Sequence, residues 1–270
     1  MQIRVADYIA DWLTKKNIKH IFTVTGGGAM HLNDAFGKHP KLKCVFNHHE
    51  QACAMAAESY ARLSGKVALV CVTSGPGGTN AITGVLGGWL DSVPMLIISG
   101  QVRYNTTARS TGLKLRQLGD QEFDITKVVA PMTKYAEMVI NPYEILYHLE
   151  RAYYLAINGR PGPCWLDIPL DVQGATIETN KLKHYNPNED KKEHAPKVNN
   201  KIVSSILEKI KKAERPVILA GSAVRSSGAY DDFQKLIKKL NLPVVTAWNA
   251  HDVIWDKHPL YFGRPGTVGN

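Results

Sequence analysis

The sequence has no apolar run near the roughly 18 residues that cross a bilayer. Residues Met1 to Lys16 lack the continuous apolar stretch of a secretory signal and carry Asp7 and Asp11 early. A soluble, cytoplasmic protein with no membrane partner is the expectation. Cysteine is scarce: four in 270 residues, Cys44, Cys53, Cys71 and Cys164. No two form a Cys-x-x-Cys pair, and three lie in or beside apolar segments. That argues against zinc or a disulfide framework and for buried free thiols. Acidic residues are in deficit, 24 Asp and Glu against 33 Lys and Arg, for a formal net charge of +9. Much of the basic excess lies between Lys181 and Arg215, mixed with Glu189, Asp190, Glu193, Glu208 and Glu214. No nucleic-acid-binding motif accompanies it. It reads as a solvated lysine-rich surface that can attract anionic substrates, with no nucleic-acid partner.

Several phosphate and nucleophile signatures are also missing. No Gly-Lys-Ser/Thr closes a phosphate loop, and Ser74 lacks the Gly two residues before it that a nucleophile elbow needs. Gly26-Gly27-Gly28 follows an early strand-like run, but no G-x-G-x-x-G fingerprint with an acid in ribose register follows.

What is present is 44% hydrophobic residues, ample for a core, in alternating segments. Residues 21–25, 43–47, 67–73, 95–99 and 164–167 are short apolar runs rich in β-branched residues or closed by turn signals. Small-residue helices are expected at 51–63 and 79–90, and an amphipathic helix at 143–158. Val5, Ile9, Trp12 and Leu13 share one face of an N-terminal helix. Alternation of this kind implies an α/β fold, a parallel sheet with helices on both faces, with ligands beyond the carboxyl ends of the strands. This domain is assigned residues 1–172. Residues 173–197 are polar, charged and punctuated by Pro187 and Pro196, and read as a linker. Residues 198–270 begin a second α/β unit, with helices at 202–213 and 230–240 and strands at 217–220 and 244–246. Some 70 residues are few for a doubly wound domain, so the expectation is an incomplete unit in a fragment or half of a split protein.

Two stretches sit where ligands are expected. His48-His49-Glu50-Gln51-Ala52 puts a carboxylate at the start of a helix rich in small residues. A lone Glu there has an ordinary explanation, since it complements the helix dipole. Thr73-Ser74-Gly75-Pro76-Gly77 follows a buried strand and opens the next helix; alone it is a tight βα turn. Further on come Asp91-Ser92-Val93-Pro94, Gly119-Asp120-Gln121-Glu122-Phe123-Asp124 and Gly159-Arg160-Pro161-Gly162-Pro163-Cys164-Trp165-Leu166-Asp167-Ile168-Pro169. Each alone has a structural reading, and their joint order is specific.

In that order the motifs resemble thiamine diphosphate-dependent enzymes of the acetolactate synthase-like family. The resemblance runs from about Ile3 to Val172 and continues more weakly through Gly263-Arg264-Pro265-Gly266-Thr267, which is similar to the family's central domain. It implies the thiamine diphosphate-binding fold and a 2-keto acid decarboxylase or carboligase. Glu50 occupies the position of the glutamate that bonds N1′ of the aminopyrimidine and promotes its imino tautomer. Thr25, Gly26 and Gly27, with Gly28, match the first active-site loop. Ser74, Gly75, Pro76, Gly77 and Asn80 match the pyrimidine pocket. Gln121 matches a glutamine on the substrate side.

There are departures. Thr25-Gly26-Gly27 stands where relatives have Pro-Gly-Gly, and Asp120 where they have an aromatic residue. His31 replaces an apolar or proline position; it reads equally as a substrate proton donor and as a packing histidine. The family's Mg²⁺ and diphosphate ligands belong to a third domain, so no metal ligand is assigned in this chain. FAD is bound by some relatives in the central domain, where Gly221-Ser222-Ala223 resembles the first turn. The implied partners are a 2-keto acid and a second subunit, in a homo-oligomer or as a separate chain, that supplies the diphosphate-binding domain. The alternative is a non-catalytic fragment that pairs with a full-length relative.

Overall fold

A computed structural model describes residues 1–190 and 197–267; the end of the expected linker, including Pro196, lies outside the described residues. The chain divides near residue 193 into two units.

In the first unit the order is β1 (Gln2–Arg4), α1 (Val5–Lys15), β2 (His20–Thr23), α2 (Met30–Lys38), β3 (Lys43–Phe46), α3 (Glu50–Ser64), β4 (Ala68–Val72) and α4 (Pro76–Leu90). It continues with β5 (Met95–Gln101), α5 (Ala108–Thr111), α6 (Ile125–Val129), β6 (Tyr135–Met138), α7 (Ile145–Ile157), β7 (Pro163–Pro169), α8 (Leu170–Gly174) and β8 (Thr176–Glu178). Six strands form one parallel sheet in the order β3-β2-β4-β5-β7-β6. The five strands expected from the sequence are all there, and β6 is added.

Period-two alternation divides the sheet's side chains between two cores. Ile21, Leu69, Cys71, Leu96, Ile98, Cys164, Leu166 and Ile168 face one side with residues of α1, α2, α7 and α8. Phe22, Ala68, Val70, Val72, Met95, Ile97 and Trp165 face the other with α3, α4 and α6. Strands β4, β5 and β7 are buried along their whole length, as a parallel sheet covered on both faces requires.

The small residues of α3 and α4 let these helices pack closely. A Cβ on Gly84 of α4 would lie 2.6 Å from the Ala54 Cβ and 2.7 Å from the Met55 backbone nitrogen on α3. Arg62 near the end of α3 ties the pair together by bonding Glu58 on its own helix and Asp91 just past α4, the latter at 2.7 Å.

The segment expected as a linker is structured over 173–190. Gln173 and Gly174 end α8, and β8 pairs antiparallel with β1. Leu182 and Tyr185 are buried. Asp190 receives two hydrogen bonds from Arg151, at 2.9 and 2.7 Å, and one from the Tyr185 hydroxyl at 2.7 Å. The stretch is polar because its charges are partners for α7, which composition alone does not reveal.

The second unit has α9 (Asn200–Lys212), β9 (Ile218–Ala220), α10 (Ala223–Ser226), α11 (Tyr230–Leu240) and β10 (Val244–Thr246). β9 and β10 pair in parallel, and Phe233, Ile237, Val244, Val253 and Ile254 join in a small core. Among the described residues no helix is long and apolar enough to cross a membrane.

Candidate active site

In the sheet order, β2 connects to β3 on one side while its neighbour β4 connects to β5 on the other, so the connections leaving the carboxyl ends of β2 and β4 run in opposite directions. A crevice opens at such a reversal. Three loops meet there: residues 24–29 after β2, residues 47–49 after β3 and residues 73–75 after β4.

Glu50 is the first residue of α3. His49 precedes it as the cap, its Nδ1 accepting the Gln51 backbone N–H at 3.1 Å. The Glu50 carboxylate is fixed by Asn80 of α4, whose Nδ2 donates to Oε2 at 3.0 Å. The other oxygen, Oε1, points at the α4 backbone: a Cβ on Gly77 would stand 3.6 Å from it. Two residues expected in the pocket are therefore brought onto Glu50 directly.

Thr73 is the hub of the floor. Its Oγ1 accepts the Gly28 N–H at 3.0 Å. A Cβ on Gly26 would lie 2.5 Å from its side chain, and one on Gly77 2.8 Å from its Cγ2. A Cβ on Gly28 would fall 2.7 Å from the buried Ser74 Oγ. The first loop thus sits so near the β4 turn that only glycine fits at 26, 28 and 77. Gly75 has φ +56° and ψ −116°, and a Cβ there would overlap the Gln121 carbonyl. Pro76 follows at the first position of α4 with an exposed ring. Thr25 and Gly27 are exposed, Gly27 with open space where a side chain would be.

Gln121 lies against Gly75 with an exposed side chain, and its own φ is +55°. His31 lines a cavity of about 490 Å³ with Met30, Arg103, Tyr104, Asn105, Leu170, Asp171 and Gly174. A Cβ on Gly174 would be 3.0 Å from its Nε2.

Sequence reasoning missed three contributors. Thr73 stands in the sequence only as one residue of a motif. Gln173 falls at the start of the expected linker, yet its buried Nε2 donates to the Gly28 and Ile168 carbonyls, both at 2.7 Å. The third is a buried polar group at the ends of β5 and β7. Ser99 Oγ donates to Asp167 Oδ1 at 2.6 Å, and Gln101 Nε2 to Asp167 Oδ2 at 3.0 Å. Burial pushes the Asp167 carboxyl up to about 7 against the pull of these bonds. A carboxylate inside an otherwise apolar run was the available signal.

The cysteines are free, and burial pushes the thiols of Cys53 up to about 11 and of Cys71 and Cys164 up to about 12. They are unsuited to act as nucleophiles at neutral pH.

Comparison with known proteins matches residues 3–128 to the family described as thiamine pyrophosphate enzyme, N-terminal TPP binding domain. Residues 203–270 match the central domain of the same enzymes. The chain belongs to the thiamine pyrophosphate enzymes. Within that family it is 34% identical, over 258 residues, to the acetolactate synthase large subunit of Lactococcus lactis, covering 96% of this chain and 43% of the relative. The large subunit from Corynebacterium glutamicum is also 34% identical, with 95% of this chain and 40% of the relative covered. The acetolactate synthase of Arthrospira platensis is 31% identical, with 97% and 44% covered. The chain spans less than half the length of these relatives.

Proposed function

We propose that this chain supplies the aminopyrimidine side of a thiamine diphosphate site in a 2-keto acid decarboxylase or carboligase. The carrying observation is the Glu50 carboxylate, fixed by Asn80 through one oxygen and presenting the other beside a backbone stripped of side chains at Gly77. The residues fit the group: Gly27 has open space where a side chain would be and Gly77 bares the backbone beside Oε1, which gives a flat ring room, and a ring nitrogen needs one carboxylate oxygen.

When bound, the cofactor would supply a carbon nucleophile toward the keto acid and an electron sink for its decarboxylation. Glu50 holds a proton at the pyrimidine N1′ through Oε1, and Asn80 keeps the carboxylate from turning away. Gly75 and Gly77 let the backbone approach the ring. Gln121 stands on the substrate side. His31 lines the cavity with Arg103 and keeps both readings, substrate proton donor and packing histidine. Mg²⁺ and the diphosphate would be held by residues of a second subunit in a dimer or larger assembly. Exposed Met55, Leu86 and Leu90 on α3 and α4 support such an interface.

The test is calorimetric titration with thiamine diphosphate and Mg²⁺, followed by exchange of the cofactor C2 proton into deuterium oxide in the complete protein. Glu50→Gln is expected to weaken binding and to slow exchange at least a hundredfold while the circular dichroism spectrum is kept. Undiminished exchange in that variant would sink the assignment.

A further inference from the structure

We propose that Asp167, Ser99 and Gln101 form a positioning device that holds the Gln121 segment in its strained backbone conformation over the site. The proposal deepens the functional reading above and rests on it for the role of Gln121.

Gln121 is the starting point. A φ of +55° is the left-handed region, which glutamine enters only against a clash of its Cβ with the following carbonyl oxygen. Such a residue persists only where its surroundings over-determine it. Gln121 itself is exposed and has no core of its own, so the restraint comes from its neighbours in sequence. On the C-terminal side, the Phe123 carbonyl accepts a hydrogen bond from Gln101 Nε2 at 2.9 Å. Also on the C-terminal side, the Glu122 carboxylate reaches back to three backbone N–H groups that precede Gln121: Ala108 at 2.5 Å, Leu118 at 2.8 Å and Gly119 at 3.3 Å.

Glu122 only closes the loop on itself, whereas Gln101 ties it to the sheet. Gln101 is fully buried at the end of β5, and every polar atom of its amide is used. Oε1 accepts the Val102 N–H at 3.0 Å; Nε2 donates to Phe123 and to Asp167. Asp167, fully buried on β7, takes the Gln101 bond on one oxygen and the Ser99 hydroxyl on the other. Ser99 in turn accepts from the Trp165 indole N–H at 2.8 Å. The chain Trp165–Ser99–Asp167–Gln101–Phe123 therefore runs from the rigid centre of the sheet to the residue two places from Gln121. Burying a carboxylate is expensive, and three apolar side chains would fill the same space. What the polar set adds is a fixed orientation of the Gln101 amide, which sends one of its bonds to the site loop.

The test combines hydrogen–deuterium exchange with kinetics. In Gln101→Met, amides of residues 119–124 are expected to exchange at least tenfold faster, and trypsin to cut faster after the exposed Lys114 and Arg116. Amides in β2 and β4 should stay as in the wild type. Asp167→Ala should match it. Asp167→Asn should be largely rescued, because its oxygen can still accept from Gln101 while its amide donates to Ser99. Ser99→Ala gives the same local pattern, smaller, should the Gln101 variant fail to fold. Unchanged exchange at 119–124, or acceleration spread evenly over the sheet, overturns the proposal.

In the complete protein, the loss of kcat/KM in Gln101→Met should be non-additive with that in Gln121→Ala. Local loosening with additive kinetics would uphold the anchor and remove Gln121 from the substrate side.

Discussion

Asp167 offers a stability experiment whose sign and size follow from its surroundings. An unfolded aspartate titrates near 4, whereas burial in the folded chain pushes this one up to about 7. The Ser99 and Gln101 bonds and the charge of Arg109 favour the ionised form; burial and the charge of Asp124 oppose it, and burial is the largest. Between pH 4 and 7 the folded state therefore holds a proton that the unfolded state has lost. The resulting stabilisation is fully present below pH 4 and disappears as the pH rises through 7. At about 1.4 kcal/mol for each pH unit the difference reaches at most about 4 kcal/mol. Asp167→Asn cannot titrate. Its stability minus that of the wild type should climb by up to that amount from pH 4 to 8 and then level off. Urea unfolding of both proteins across that range, read by fluorescence, measures the difference with every other titrating group cancelled. Ser99→Ala, which removes a bond that favours the carboxylate, should extend the slope to higher pH. A pH-independent difference, or one that falls with pH, would refute the argument.

Other perturbations test the packing and the site. Gly84→Ala puts a methyl into the backbone of α3 and should cost about 1–3 kcal/mol by urea unfolding; no loss would mean the helices are not in close contact. Gly100→Ala drives a Cβ into the Gly28 carbonyl, so thiamine diphosphate affinity should fall at least tenfold by calorimetry. Asp190→Asn loses its charge pairing with Arg151, and trypsin should then cut faster after Lys181 and Lys183. Arg151 holds the Asp190 carboxyl below its usual range, so in the wild type this tether is present above pH 4 and lost as the pH falls through the lowered value. Ellman's reagent at pH 7.5 should find the half-buried Cys44 alone reactive in the native chain, and all four cysteines after denaturation.

The main sheet was legible because its strands are buried on both faces and so write themselves as unbroken apolar runs, such as 67–73 and 95–99. β6 was not, because Tyr135, Ala136 and Glu137 sit half-buried at the sheet edge and alternate too weakly to stand out. The order within 173–190 was illegible for a related reason. Glu178, Lys181 and Asp190 look solvated by type, yet Asp190 spends its charge on Arg151, 39 residues away. Pairing over such distances leaves no local trace.

The site divides in the same way. Glu50, Gly75, Gly77 and Asn80 lie in short motifs whose spacing follows from one strand–turn–helix unit each, and these are the residues that converge. Gly26 and Gly28 were legible as glycines but not for their reason, the Thr73 side chain lodged between them. The Asp167 network was legible only as an anomaly, a charge where the core pattern wanted none. Such anomalies in buried strands are where function presses on the fold. A carboxylate that burial disfavours is kept when its hydrogen bonds do something an apolar side chain cannot, and here the last of those bonds leaves the sheet for the loop that carries Gln121.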